Sequence, residues 1–203
     1  MKIYTDAVGA PNPKKVRVFC AEKGLKIPYH NIDIMAGENR QPEFAKKNPL
    51  MGLPVLELDD GTHLTESLAI MEYLDELHPE VPMIGKTPIE RARARETERI
   101  CELGVMAMIG TIFQNASPFF AGRVKQSADA ADNARARLAS NLAVLDARVG
   151  SSAFLAGSKP SIADCTMWAA FAFSSFAGVQ FDPGLKNIHR WHGEFQKRPS
   201  AAA

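Results

Sequence analysis

Short runs of alternating apolar and polar residues fill the first third of the chain, whereas apolar positions in the remainder recur every three to four residues, so two kinds of structure are expected. Lys2-Ile3-Tyr4-Thr5 predicts a strand, and a loop rich in Gly, Pro and Asn leads into a helix over residues 13–23, closed by Gly24. Residues 29–34 read as a second strand, and a helical crossover between them implies a parallel pair. Val55-Leu56-Glu57-Leu58 and Thr62-His63-Leu64-Thr65 flank Asp59-Asp60-Gly61, the pattern of an antiparallel hairpin, and a helix over 68–77 follows. Three prolines and a glycine in residues 78–88 leave no period and predict a linker. Four helices are then expected, over 89–113, 130–149, 161–177 and 184–196. Leu138, Leu142, Leu145 and Val149 give one of them a single apolar face, while residues 162–173 are apolar nearly all round and belong at the centre of a helical unit.

Composition narrows the partners. The 203 residues carry 24 Lys plus Arg against 23 Asp plus Glu, a formal charge of +1, which gives no general electrostatic reason to bind nucleic acid or an anionic membrane. Cys20, Cys101 and Cys165 are an odd, widely spaced set without metal-ligand spacing and read as reduced thiols of a cytoplasmic protein. Met1 leads straight into strand pattern, without the apolar core of a signal peptide. The apolar segment 165–179 is interrupted by Thr166, Ser174, Ser175 and Gly178 and falls short of the ~20 residues of a membrane span.

Chemistry concentrates in two stretches. In Asn48-Pro49-Leu50-Met51-Gly52-Leu53-Pro54, a proline stands ahead of an apolar strand, where an X-Pro bond can be cis and Leu53 can offer its main chain to a peptide; the plainer reading is a turn proline that starts a strand. Glu66-Ser67 stands at a strand-to-helix junction, where Ser67 caps the helix beginning at Leu68 and the free N–H groups suit a carboxylate. Glu66 is either a partner for an ammonium group or a solvated acid. Ala10-Pro11-Asn12-Pro13 reads as a helix start with Asn12 at the N-cap, its amide N–H donors free to favour a thiolate. Lys14 and Lys15, cations in the first turn of a helix, read either as a solvated basic face or as a sign of an anion nearby, and Cys20 as a buried structural thiol. Ser161 and Asp164 form a capping-box-like pair.

These motifs resemble the glutathione transferase superfamily, in matching order and spacing from residue 1 to about 77 and again at Ser161-Ile162-Ala163-Asp164. The resemblance implies an α/β thioredoxin-like domain over 1–78, a linker over 79–88 and an all-α domain over 89–203. It implies glutathione as cosubstrate and no metal, with Leu53, Pro54, Glu66, Ser67 and Asn39 in its binding and a homodimer as the assembly. The position that matches the family's activating Ser or Cys is Ala10, and a Thr-Pro-Asn loop of a bacterial subgroup, similar to the nu class, carries the thiol-stabilising role to Asn12. The family's frequent Lys or Gln two residues before the proline is Gly52 here. Phe113, on the apolar stripe of the first long helix, is expected to line the pocket for a hydrophobic second substrate. The expected activity is attack of the glutathione thiolate on an electrophilic, disulfide or peroxide substrate. Two rivals stand beside it: a non-catalytic scaffold of the same fold that binds glutathione or a partner, and a nucleic-acid accessory protein, which would need a basic stripe that the mixed charges do not offer.

Overall fold

A computed structural model describes residues 1–7 and 9–203. Its sheet has the order β2-β1-β3-β4, with β1 Lys2–Thr5, β2 Tyr29–Asn31, β3 Val55–Glu57 and β4 His63–Thr65. β1 and β2 run parallel across helix α1, Pro11–Lys23, and the other two neighbours pair antiparallel. Register explains the two faces of the sheet. Ile3 pairs with Leu56, and both enter the main core with Val16, Phe19 and Ile70. Tyr4 pairs with Val55 on the opposite face, over a smaller core with Ile32 and Phe44. A short helix α2, Pro42–Ala45, contributes Phe44 to that second face.

β2 is shorter than its apolar pattern suggests. Ile32 still donates to Thr5 O (2.8 Å), but Asp33 Oδ1 then accepts the amides of Met35 and Ala36, both at 2.9 Å, and turns the chain off the sheet edge. Helix α3, Ser67–Leu77, packs beside α1, and residues 78–87 connect it to α4, Pro88–Arg99. Thr87 starts α4 with a reciprocal cap: its Oγ1 accepts Glu90 N (3.3 Å), and Glu90 Oε2 accepts Thr87 N (3.0 Å).

The single helix expected over 89–113 is three segments. A π-helical stretch, Ile100–Met106, separates α4 from α5, Ala107–Ala116. Gly104 permits it: a Cβ there would lie 2.9 Å from Asn141 Cγ, and Asn141 Nδ2 donates to the Gly104 carbonyl at 3.0 Å. Asn141 comes from α6, Ala128–Val149, whose Leu138, Leu142, Leu145 and Val149 are buried as their spacing predicts. Helix α7, Ile162–Ala177, touches α1, α4 and α5, so the core runs unbroken from the sheet into the helices. Asp164 starts it, accepting Ser161 N (2.8 Å), Ser161 Oγ (2.7 Å) and the indole of Trp191 (2.8 Å). Trp191 is buried on α8, Lys186–Phe195.

Candidate functional site

The loop ahead of β3 is built by two asparagines. Asn48, buried, donates from Nδ2 to Gly52 O (2.8 Å) and accepts Leu50 N at Oδ1 (3.0 Å), closing a tight turn. Asn39 Nδ2 holds Met51 O at 2.8 Å, while its Oδ1, shielded from solvent, has no partner among the described residues. Met51 takes a positive φ of 56°. The Leu53–Pro54 bond is cis, and the Leu53 N–H and C=O make no hydrogen bond among the described residues, so half-buried Leu53 presents an unused peptide edge.

Alongside lies the start of α3. Thr65 pairs with Val55, so one further step of the antiparallel register sets Glu66 beside Pro54. Glu66, exposed, occupies the N-cap position with φ 68° and caps nothing. Ser67, expected as the cap, is instead the first helical residue: its buried hydroxyl accepts from Lys15 Nζ at 3.5 Å. The first-turn amides of Ser67, Leu68 and Ala69 therefore have no acceptor among the described residues, leaving an uncapped positive helix end.

Asn12 is also displaced from its expected place. Pro11 takes N1, where its fixed φ suits a helix and its missing N–H costs nothing, so Ala10 becomes the N-cap and Asn12 the second helical residue. The Asn12 side chain is exposed and no side chain caps this end, so its amide donors remain for a ligand. Buried Asp6 braces the loop, accepting Ala10 N at Oδ2 (2.8 Å), with Arg17 donating to Asp6 O (2.9 Å) and Thr5 Oγ1 (2.8 Å).

Asn12, Asn39, Arg40 and Leu53 line one cleft of about 900 Å³, closed on the helical side by Phe119 and Arg123. Glu66 and Ser67 are outside its lining and adjoin it through the strand register. Phe113 does not line it. Its ring stacks 5.9 Å from that of Phe119 and stands edge-on 5.2 Å from that of Phe120, so it supports the aromatic wall from behind and faces a separate groove of about 740 Å³. Phe119 and Phe120 supply the aromatic lining instead, because a 3₁₀ turn, Pro118–Phe120, carries them past the end of α5.

Lys15 and Asp6 are the site residues that sequence reasoning missed. Lys15 is fully buried, pairing with Glu102 Oε1 (2.9 Å) from the π-helical stretch. A signal existed: Val18 and Phe19 follow it at three and four residues, on the same helical face. Nearby, Glu98 is buried on α4 with one oxygen accepting Thr166 Oγ1 (3.0 Å) and the other without a partner among the described residues; burial, reinforced by the Glu102 charge, pushes its carboxyl up to about 7. All three cysteines are buried, and desolvation raises the Cys20 thiol to about 11, leaving it an inert thiol. No cluster of three or more His, Cys, Asp or Glu suited to a metal occurs among the described residues. Nor is any helix among them long and apolar enough to cross a membrane.

Two family models match the chain: Glutathione S-transferase, N-terminal domain, over residues 5–82, and Glutathione S-transferase, C-terminal domain, over 128–194. Glutathione S-transferase 2 of Saccharomyces cerevisiae is 31% identical over 204 residues, covering 98% of this chain and 87% of that protein. A crystal structure of a glutathione S-transferase domain-containing protein from Marinobacter aquaeolei VT8 superposes with a TM-score of 0.91 at 35% identity, covering 99% of this chain and 100% of the other. Gtt2 from Saccharomyces cerevisiae gives 0.90 at 30% identity, covering 100% and 99%.

Proposed function

Because the chain belongs to the glutathione transferase superfamily, we propose that it binds glutathione along Leu53 and the start of α3 and stabilises the thiolate for attack on a second substrate in the cleft. The observation that carries this reading is the pairing of an unused Leu53 main chain with an uncapped helix start beside it. The Leu53 N–H and C=O take the cysteinyl main chain as a sheet edge would. The amides at the start of α3, with the Ser67 hydroxyl, take the γ-glutamyl carboxylate; the exposed Glu66 carboxylate takes the α-ammonium. Asn39 and Arg40 serve the glycine end.

Asn12 donates its amide N–H to the sulfur, at the positive end of α1. A free thiol near pKa ~8.5 is mostly protonated at neutral pH, and each unit by which the site lowers it corresponds to about 1.4 kcal/mol. The proton passes to water. On a carbon electrophile the sulfur then forms a C–S bond and the leaving group departs with its electron pair. On a disulfide the S–S bond breaks and a thiolate leaves; on a hydroperoxide the sulfur takes the terminal oxygen and an alkoxide leaves. No protein thiol takes part, in keeping with three buried cysteines. A cytoplasmic homodimer acting on reactive electrophiles, with neither nucleic acid nor membrane as partner, completes the proposal.

The test is calorimetric glutathione binding followed by turnover with an aryl halide, a small disulfide and a hydroperoxide, for the native protein and Asn12→Ala. The expected outcome is that Asn12→Ala lowers kcat by tenfold or more, a loss on the order of one hydrogen bond to a charged atom, while the glutathione Kd changes less. Ala10 offers no hydroxyl or thiol of its own and so favours the scaffold reading, which predicts binding without turnover in either protein.

A further inference from the structure

The cleft has a second wall that glutathione does not need. Opposite Leu53 and Asn39, Phe119 and Phe120 present their rings, and the guanidinium carbon of Arg123 lies 4.7 Å from the centroid of Phe119. Phe119 is 42% exposed despite packing on Phe113 and lying under Arg123. Among the described residues of the lining, Arg40 and Arg123 are the only charged side chains, with no carboxylate beside them.

Both guanidinium groups lack a hydrogen bond or ion pair among the described residues. Of the twelve arginines, Arg17, Arg95, Arg99, Arg135, Arg148 and Arg198 pair with acids and Arg91 and Arg190 bind carbonyls, while Arg93 and Arg137, also without such a partner among the described residues, lie outside this cleft. Two unpaired guanidiniums in one acid-free cleft, with low-dielectric aromatic walls, concentrate positive potential at its mouth. Glutathione brings two carboxylates and one ammonium. With its γ-glutamyl end at α3, the glycine carboxylate meets Arg40, which shares the turn with Asn39. Arg123, on the helical wall, is left over.

Resting on the glutathione reading above, we propose that the second substrate is an electrophile with a flat aromatic or conjugated body and a carboxylate of its own. The body lies against Phe119 and Phe120, and the carboxylate takes the forked N–H edge of Arg123. A guanidinium held over an aromatic ring can still offer its N–H groups to a bidentate acceptor. Specificity therefore comes from the helical half of the cleft, whereas the thiolate is supplied from the sheet half.

Specificity constants for 4-chloro-3,5-dinitrobenzoate and its methyl ester, each divided by the uncatalysed rate with glutathione, test this directly. In both reactions the sulfur bonds to the aryl carbon, chloride leaves with the C–Cl electron pair and the thiol proton passes to water, so only the carboxylate differs. The native protein is expected to favour the carboxylate at low salt, and Arg123→Gln to lower the carboxylate-to-ester ratio by about tenfold, as loss of a charged hydrogen bond does. Arg123→Lys restores part of the ratio, and added salt erodes it in the native protein. Arg40→Gln weakens calorimetric glutathione binding; Arg123→Gln does so much less. An equal loss on both substrates, or a glutathione Kd raised as much by Arg123→Gln as by Arg40→Gln, overturns the inference and leaves the glutathione reading standing. Failure of the native protein to bind glutathione overturns both.

Discussion

Glu66 carries a backbone conformation that L-residues avoid, with φ 68° and ψ 119°, and Met51 is the other described non-glycine residue with positive φ. Such conformations cost of order 1–3 kcal/mol each. One adjoins the unused Leu53 edge and the other starts α3, so the strain sits where the peptide is proposed to lie. Glu66→Gly relieves it but makes the unfolded chain more flexible, and these opposing terms nearly cancel. The expected result is a midpoint in urea equal to or slightly above that of the native protein, with a glutathione Kd raised about tenfold by loss of the ammonium partner. A lowered midpoint would show that the Glu66 side chain holds the fold. At this scale the cis Leu53–Pro54 bond was legible because a proline ahead of an apolar strand is a local pattern, whereas Asn39 came from the family resemblance alone. Asn12 was misjudged by two positions because Pro11 and Pro13 both suit a helix start and only the structure shows which leads. Lys15 was misread because its partner, Glu102, lies far away in sequence.

Among the elements, the junction of α4 and α7 holds Glu98, whose neighbours are Thr166, Glu102, Lys15 and Arg99. Burial raises its carboxyl from 4.5 to about 7, so the folded state holds a proton that the unfolded chain has lost. Its contribution to stability is fully present below pH 4.5 and is lost as pH rises through 7. Asp164, raised by burial to about 6 at the start of α7, acts in the same direction. Thermal midpoints should therefore fall between pH 5 and 8 by an amount reflecting a few kcal/mol, and Glu98→Gln should flatten that slope. An unchanged slope would assign the pH response elsewhere. The helices themselves were readable from spacing and caps, as α6 and the Ser161–Asp164 box illustrate. The π-helical stretch was not, since it depends on Asn141 packing over Gly104 from another helix.

Across the whole molecule, two buried or partly buried ion pairs stitch distant segments. Lys23 on α1 meets Asp75 at 2.7 Å, and Asp75 also accepts Met83 N (2.8 Å) and Ile84 N (3.2 Å) from the connection between sheet and helices. Arg198 grips Glu22 through two bonds of 2.6 and 2.7 Å. Asp75→Ala leaves the Lys23 side chain, 1% exposed, with only the Val81 carbonyl and no charged partner, and frees two buried amides, so a loss of about 3–5 kcal/mol is expected in urea unfolding. Lys23→Met combined with Asp75→Ala should recover part of it; a loss below about 1 kcal/mol would mean that water solvates the site. The order of strands and helices was readable because each unit is local in sequence, and the family resemblance turned that order into an architecture. These stitches escaped notice because their partners lie 52 and 176 residues apart.

Cys20, Cys101 and Cys165 sit at 0–1% exposure on α1, the π-helical stretch and α7, spanning both halves of the shared core. A thiol-alkylating reagent can reach them only when the core opens, so the rate at which each is labelled under native conditions times that opening. If the halves separate as independent bodies, Cys20 and Cys101 will label at different rates. If the molecule opens as one, the three will be modified together, and native mass spectra will show unlabelled and triply labelled chains with little between.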